Sequence, residues 1–143
     1  MDIKIGYNII ILYRMSNPND PLVKPEPLPI ITKIESVVAF QQLLINNPGV
    51  VVLKFGAEWC GPCKKIEGLV EQWFAAMPAT VQCCKIDVDE SFELYGFLKS
   101  KRRINGIPAI LAYRKGNLNY IPNDMMAGAD VAQVNAFFQR CLN

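Results

Sequence analysis

Residues Val50–Pro78 read VVVLKFGAEWCGPCKKIEGLVEQWFAAMP, and this stretch decides the architecture. Val50 to Phe55 is an apolar, β-branched run of the kind found in a strand covered on both faces. From Cys60 to Met77 the residues Ile66, Leu69, Val70, Trp73, Phe74 and Met77 fall on one helical face, and Pro78 stops the pattern. Trp59-Cys60-Gly61-Pro62-Cys63-Lys64 therefore sits where a strand hands over to a helix. A helix N-terminus presents unpaired backbone donors and about half a positive charge, and both stabilise a thiolate. Cys60, at the first position, is expected to feel that field and stay exposed. Pro62 fits because the first helical turn needs no proline N–H. Two intervening residues let the sulfurs approach bonding distance across the turn. Cys60 can then attack a substrate disulfide, and Cys63 can resolve the mixed disulfide.

Composition narrows the chemistry further. The chain has 143 residues, 51% hydrophobic and 20% charged, which suits one globular domain with a sizeable core. Histidine is absent, which removes Ser-His, Cys-His and His-metal chemistry. Dithiol exchange needs neither histidine nor metal. A net charge of +2 is too mild to argue for a nucleic-acid or lipid partner. No apolar run reaches the roughly 18 residues of a membrane span. The five cysteines, Cys60, Cys63, Cys83, Cys84 and Cys141, are an odd number. That argues against a secreted disulfide scaffold and for a reducing compartment such as the cytoplasm. Two other readings of the Cys60–Cys63 pair stand beside exchange. The pair is inert and buried, or it is half of a zinc site with Cys83 and Cys84. Adjacent strand residues point to opposite faces, which works against the zinc site.

Outward from the junction, strands and helices alternate. Ile30–Lys33 reads as a short strand and Ser36–Asn46 as a helix that Asn47-Pro48-Gly49 ends. Val81–Val88 is a strand, followed by a helix from Ser91 to about Lys101 capped by Asp89 or Ser91. Ala109–Arg114 is a strand, Lys115-Gly116-Asn117 a hairpin turn, and Leu118–Ile121 a candidate return strand. Asp130 caps a last helix whose apolar face is Val131, Val134, Phe137, Phe138 and Cys141. The pattern implies an α/β fold, a central mixed sheet with helices on both faces. Residues 1–29 form an N-terminal extension ahead of a domain at 30–143. Ile3–Tyr13 is apolar enough for a strand or docked arm, and Ser16–Pro29 carries five prolines, as a semi-rigid linker does. No signal-peptide pattern is present, and Met15 is an alternative translation start.

Phe55-Gly56-Ala57-Glu58-Trp59-Cys60-Gly61-Pro62-Cys63-Lys64 resembles the active-site segment of thioredoxins. Lys85-Ile86-Asp87-Val88-Asp89 resembles their third-strand motif, and Gly106-Ile107-Pro108-Ala109 their cis-proline segment. Tyr113-Arg114-Lys115-Gly116 and Gly128 are similar to the family's hairpin and the glycine before its last helix. The resemblance covers about Ile30 to Asn143. It implies a thioredoxin fold and dithiol–disulfide exchange with protein substrates. It also implies that no cofactor is bound, and that electrons come from NADPH through a thioredoxin reductase. Trp59, Gly61, Pro62, Ile107 and Pro108 would shape the substrate site, and Ile107 would offer its backbone to an extended peptide. Alternatively, Pro108 is trans and merely starts an edge strand.

Several residues depart from the pattern. Lys54 stands where many thioredoxins carry a buried Asp. Desolvated, it could act as a neutral base; charged, it favours a thiolate; or its ammonium snorkels to water. Lys85 on the next strand makes a second cation that needs Asp87 or Glu67 as partner. Glu58 and Lys64 are expected to tune the local field. Gly68 replaces a kinking proline, and Gly56 an aromatic. Loops near Lys99–Arg103 and Tyr120–Met126 are lengthened. The basic cluster is a solvated face or a selector of acidic substrates. Cys83, Cys84 and Cys141 read as core thiols. The expected function is protein-disulfide reduction by Cys60 and Cys63, with an oxidase or isomerase as a rival in the same chemistry. The alternative is a thioredoxin-fold component docked into a larger assembly through residues 1–29.

Overall fold

The computed structural model describes residues 27–143. The expected N-terminal arm, nearly all of its proline-rich linker and the question of Met15 lie outside the described residues. The ordered elements are α1 (Val37–Ile45), β1 (Val50–Gly56), α2 (Gly61–Ala76) and β2 (Val81–Asp87), then α3 (Phe92–Ser100), β3 (Ala109–Arg114), β4 (Asp124–Ala127) and α4 (Val131–Cys141). The strands form one mixed sheet in the order β2-β1-β3-β4. β1 pairs parallel with β2 and antiparallel with β3, and β3 pairs antiparallel with β4. No helix among the described residues is long and apolar enough to cross a membrane.

β1 is buried at every position, so its side chains serve two cores by simple alternation. Val51, Leu53 and Phe55 join Phe40 and Leu44 of α1 and Leu94 and Leu98 of α3. Val50 and Val52 join Ile66, Val70 and Phe74 of α2 and Val134, Phe137 and Phe138 of α4. Cys83 packs with the second core and Cys84 with the first, so the two adjacent thiols face opposite sides of the sheet. Three of the four described helices begin on side-chain caps. The Ser36 hydroxyl accepts from Ala39 N at 3.0 Å, and Asp130 Oδ1 accepts from Gln133 N at 2.9 Å. Ser91 takes the N-cap position of α3, but its hydroxyl accepts from Ile34 N at 3.1 Å instead of from the helix.

Two expected strands differ from the structure. Ile30–Lys33 contributes only a bridge from Ile31 to Cys84, with Ile31 N donating to Cys83 O and Lys85 N to Ile31 O. Pro29 has no N–H to extend the pairing, its carbonyl accepts from Gln82 Nε2, and Ile34 N is taken by Ser91. Leu118–Ile121 is loop, and the return strand starts at Asp124. Asn117 Oδ1 accepts from Asn119 N, Asn119 Oδ1 from Ile121 N, and Asn123 Oδ1 from Arg114 N. These local bonds compete with the ladder until residue 124. Gly116, at φ +95°, supplies the left-handed residue of the turn that starts this loop.

Phe138 stacks on Trp73 at 5.5 Å and meets Phe74 and Phe137 edge-on at 5.9 and 5.3 Å, fully buried. Phe138→Ala is expected to cost about 3–5 kcal/mol through lost burial and the cavity left behind. Urea denaturation of the oxidised protein measures it, as a fall in midpoint at unchanged slope.

Candidate active site

The site is built at the carboxyl end of β1. The chain leaves the sheet at Gly56, whose carbonyl accepts from Val88 N at 3.0 Å. A tight turn follows, with Cys60 N donating to Ala57 O at 3.2 Å, and α2 begins at Gly61. Cys60 is the N-cap of α2, and its Sγ accepts from Cys63 N at 3.3 Å. A sulfur in that position receives both the free N–H and the positive end of the helix dipole. Pro62 lies in the first turn, as the junction requires. Cys60 and Cys63 are joined by a disulfide, with Cα atoms 5.3 Å apart.

Cys60 is less open than expected. The residue is only 5% exposed, because the segment before β3 closes over it. Ile107 O lies 3.8 Å from Cys60 Sγ, and the Ile107–Pro108 peptide bond is cis. A disulfide sulfur has no proton to donate, so this is a contact and not a hydrogen bond. Trp59, 69% exposed and next to Cys60 in the chain, is tied down by Nε1 donating to Asp89 Oδ2 at 2.8 Å. Gly61 and Pro62 are exposed beside it. Trp59, Cys60, Gly61, Pro62, Ile107 and Pro108 are thus gathered at one end of the sheet. The sequence reading gives Asp89 a place in a strand motif and as a possible helix cap but not as a partner of Trp59, since nothing in its spacing links residue 89 to residue 59.

A groove of about 370 Å³ runs along Gly106, Ile107 and Pro108, and both Arg102 and Arg103 line it. The basic cluster is therefore divided. Lys101 lies over the rings of Phe97 and Tyr120 at 5.8 and 5.6 Å, and Lys99 lies 5.7 Å from the centroid of Tyr95. Only the two arginines border the groove.

On the other side, a cavity of about 520 Å³ is lined by Cys63 together with Lys54, Glu58, Lys64, Glu67 and Lys85. Lys85 Nζ pairs with Glu67 Oε1 at 3.0 Å and Glu71 Oε1 at 3.5 Å. The hydrogen bond from Lys85 pulls the Glu67 carboxyl below its usual range, and the same bond raises Lys85. Lys54 does not snorkel: the residue is 4% exposed. Burial, and then the like charge of Lys85, push its ammonium below the ordinary lysine range, while Glu67 and Glu71 oppose the shift. Among the described residues, no group of three or more His, Cys, Asp and Glu is placed to hold a metal.

A family profile described as Thioredoxin matches residues 31–140. Thioredoxin of Mycoplasma pneumoniae is 31% identical over 105 residues, 73% of this chain and 97% of that protein. Mitochondrial thioredoxin of Mus musculus is 27% identical over 103 residues, 72% of this chain, and the match spans 58% of that protein's length. Among solved structures, the thioredoxin of Malassezia sympodialis superposes with a TM-score of 0.61 at 29% identity, covering 81% of this chain and 96% of that one.

The remaining three thiols are buried and unpaired. Burial pushes Cys83 up to about 12, Cys141 up to about 11 and Cys84 higher still. After mild reduction, iodoacetamide near pH 7 is expected to modify Cys60 first and to leave Cys83, Cys84 and Cys141 unlabelled until the protein is denatured. Peptide mass spectrometry of the labelled protein checks both halves of that expectation.

Proposed function

The chain belongs to the thioredoxin family and is a thiol–disulfide oxidoreductase, and on that premise we propose that Cys60 is the attacking sulfur and Cys63 the resolving one. The observation that carries the assignment is the N-cap position of Cys60, with the Cys63 N–H directed at its sulfur at 3.3 Å. That environment lowers the cost of the thiolate at Cys60. In the reduced protein, Cys60 attacks one sulfur of a substrate disulfide and displaces the other as a thiolate. Cys63, one helical turn away, then attacks Cys60 and displaces the remaining substrate sulfur. Two electrons pass to the substrate, and the protein is left with its Cys60–Cys63 disulfide.

Disulfide-bearing protein segments are the proposed substrates. The groove beside Ile107 and Pro108 favours an extended strand, whose main chain would bond the backbone that lines it. Trp59 supplies an apolar wall, and Arg102 and Arg103 favour acidic residues next to the cysteine. Gly61 and Pro62 keep the approach low, without bulky side chains over the sulfurs. Return to the dithiol is assigned to a thioredoxin reductase drawing on NADPH. The three buried free thiols suit a reducing compartment such as the cytoplasm. Nothing in the described residues favours a purely structural role in an assembly.

Insulin reduction with dithiothreitol or a thioredoxin reductase as electron source tests the assignment. Cys60→Ser is expected to return turnover to the uncatalysed background. Cys63→Ser is expected to accumulate a mixed disulfide through Cys60, visible by non-reducing electrophoresis. Accumulation through Cys63 in the Cys60→Ser protein would reverse the two roles.

A further inference from the structure

Alternation along β1 places Lys54 on the same face as Val50 and Val52, toward α2. Two residues further on stands Gly56. A Cβ built on Gly56 would lie 3.0 Å from Lys54 Nζ and 3.5 Å from Cys63 Sγ. The lysine nitrogen and the resolving sulfur thus border one methyl-sized space, left open because residue 56 has no side chain. A larger residue there would crowd the amine away from the sulfur.

Among the described residues, the nearby carboxylates Glu67 and Glu71 are paired with Lys85 and not with Lys54. Lys85 is the direct cross-strand neighbour of Lys54, and it already holds Glu67 and Glu71 of α2. Glu58 and Lys64 from the junction and its helix, Asp87 at the end of β2 and Glu90 beyond it line the cavity shared by Lys54 and Cys63. Among the described residues, Lys54 Nζ makes no ion pair or side-chain hydrogen bond. A buried ammonium with an engaged like charge beside it gives up its proton more readily than a solvated one. The neutral amine that results carries a free lone pair in the cavity that Cys63 also lines.

We propose that Lys54 Nζ accepts the proton of Cys63 as that thiol closes on Cys60. The proposal rests on the exchange reading above. In the mixed disulfide, Cys63 S–H passes its proton to Nζ. The sulfur electron pair forms the bond to Cys60 Sγ, and the bond from Cys60 to the substrate sulfur breaks. The substrate leaves as a thiolate, reduced, and the protein pair is oxidised. The Lys54 ammonium then releases its proton through the cavity to solvent or to the departing thiolate. In the reduced protein the same transfer leaves a Lys54 ammonium that faces the Cys63 thiolate and stabilises it. That favours the dithiol state, so the reduction potential of the wild type lies above that of Lys54→Asp.

The test titrates Cys63 in the Cys60→Ser background, by thiolate absorbance and by iodoacetamide rate against pH. Lys54→Met is expected to raise the Cys63 pKa by about 1–3 units. Gly56→Ala keeps the amine but displaces it, and is expected to shift Cys63 in the same direction by less. With the two-cysteine protein, rapid mixing with a peptide disulfide separates attack from resolution. The Lys54→Met loss falls on resolution and shrinks as pH rises. Equal slowing of both steps, which a merely disturbed site would give, overturns the proposal, as does an unmoved Cys63 titration. Wild-type protein whose Cys63 never displaces the peptide overturns the exchange reading itself.

Discussion

The structure depends on the short turn by which β1 becomes α2. β1 is buried on both faces and paired on both edges, so its end is fixed in all directions. Four residues, 57–60, separate it from a 16-residue helix whose apolar face must lie on the same sheet. That geometry leaves one place for the N-cap and puts a cysteine in it. The dipole, the spare N–H groups and the helical spacing to Cys63 all follow from the placement. Reactivity here is a property of where the chain changes from strand to helix.

The sheet also sorts the charged groups. Because β1 and β2 are parallel and in register, Lys54 and Lys85 are direct neighbours. Two adjacent cations can coexist because they differ in access to water and partners. Lys85 reaches the edge of the cavity and two glutamates of α2, whereas Lys54 stays inside. The glutamates come from successive turns of the helix that carries the cysteines, so one element supplies both the reactive sulfurs and the charges that balance their surroundings.

Much of this was legible from residue patterns alone. The run Val50–Phe55, the face from Ile66 to Met77 and the caps at Ser36 and Asp130 announce their elements through local periodicity and side-chain bonding, and the structure has them there. The pairing of Lys85 with Glu67 could be anticipated from the cost of two neighbouring buried cations. The rest depended on non-local contacts. Leu118–Ile121 looks like a return strand by composition, yet side-chain amides of Asn117, Asn119 and Asn123 take up the backbone groups first. Cys60 is covered because Ile107, forty-seven residues away, lies against it. The bond from Trp59 to Asp89 joins two loops whose proximity only the sheet creates.

Cys83 and Cys84 are consecutive, yet each is sealed in a different half of the molecule, with Cys141 on the same side as Cys83. An agent that cannot enter the closed protein meets Cys84 only when the layer of α1 and α3 lifts, and Cys83 only when the layer of α2 and α4 does. The domain thus carries two internal clocks for partial opening, one on each side of its sheet. Their relative ticking reports which layer is the looser, without any added probe.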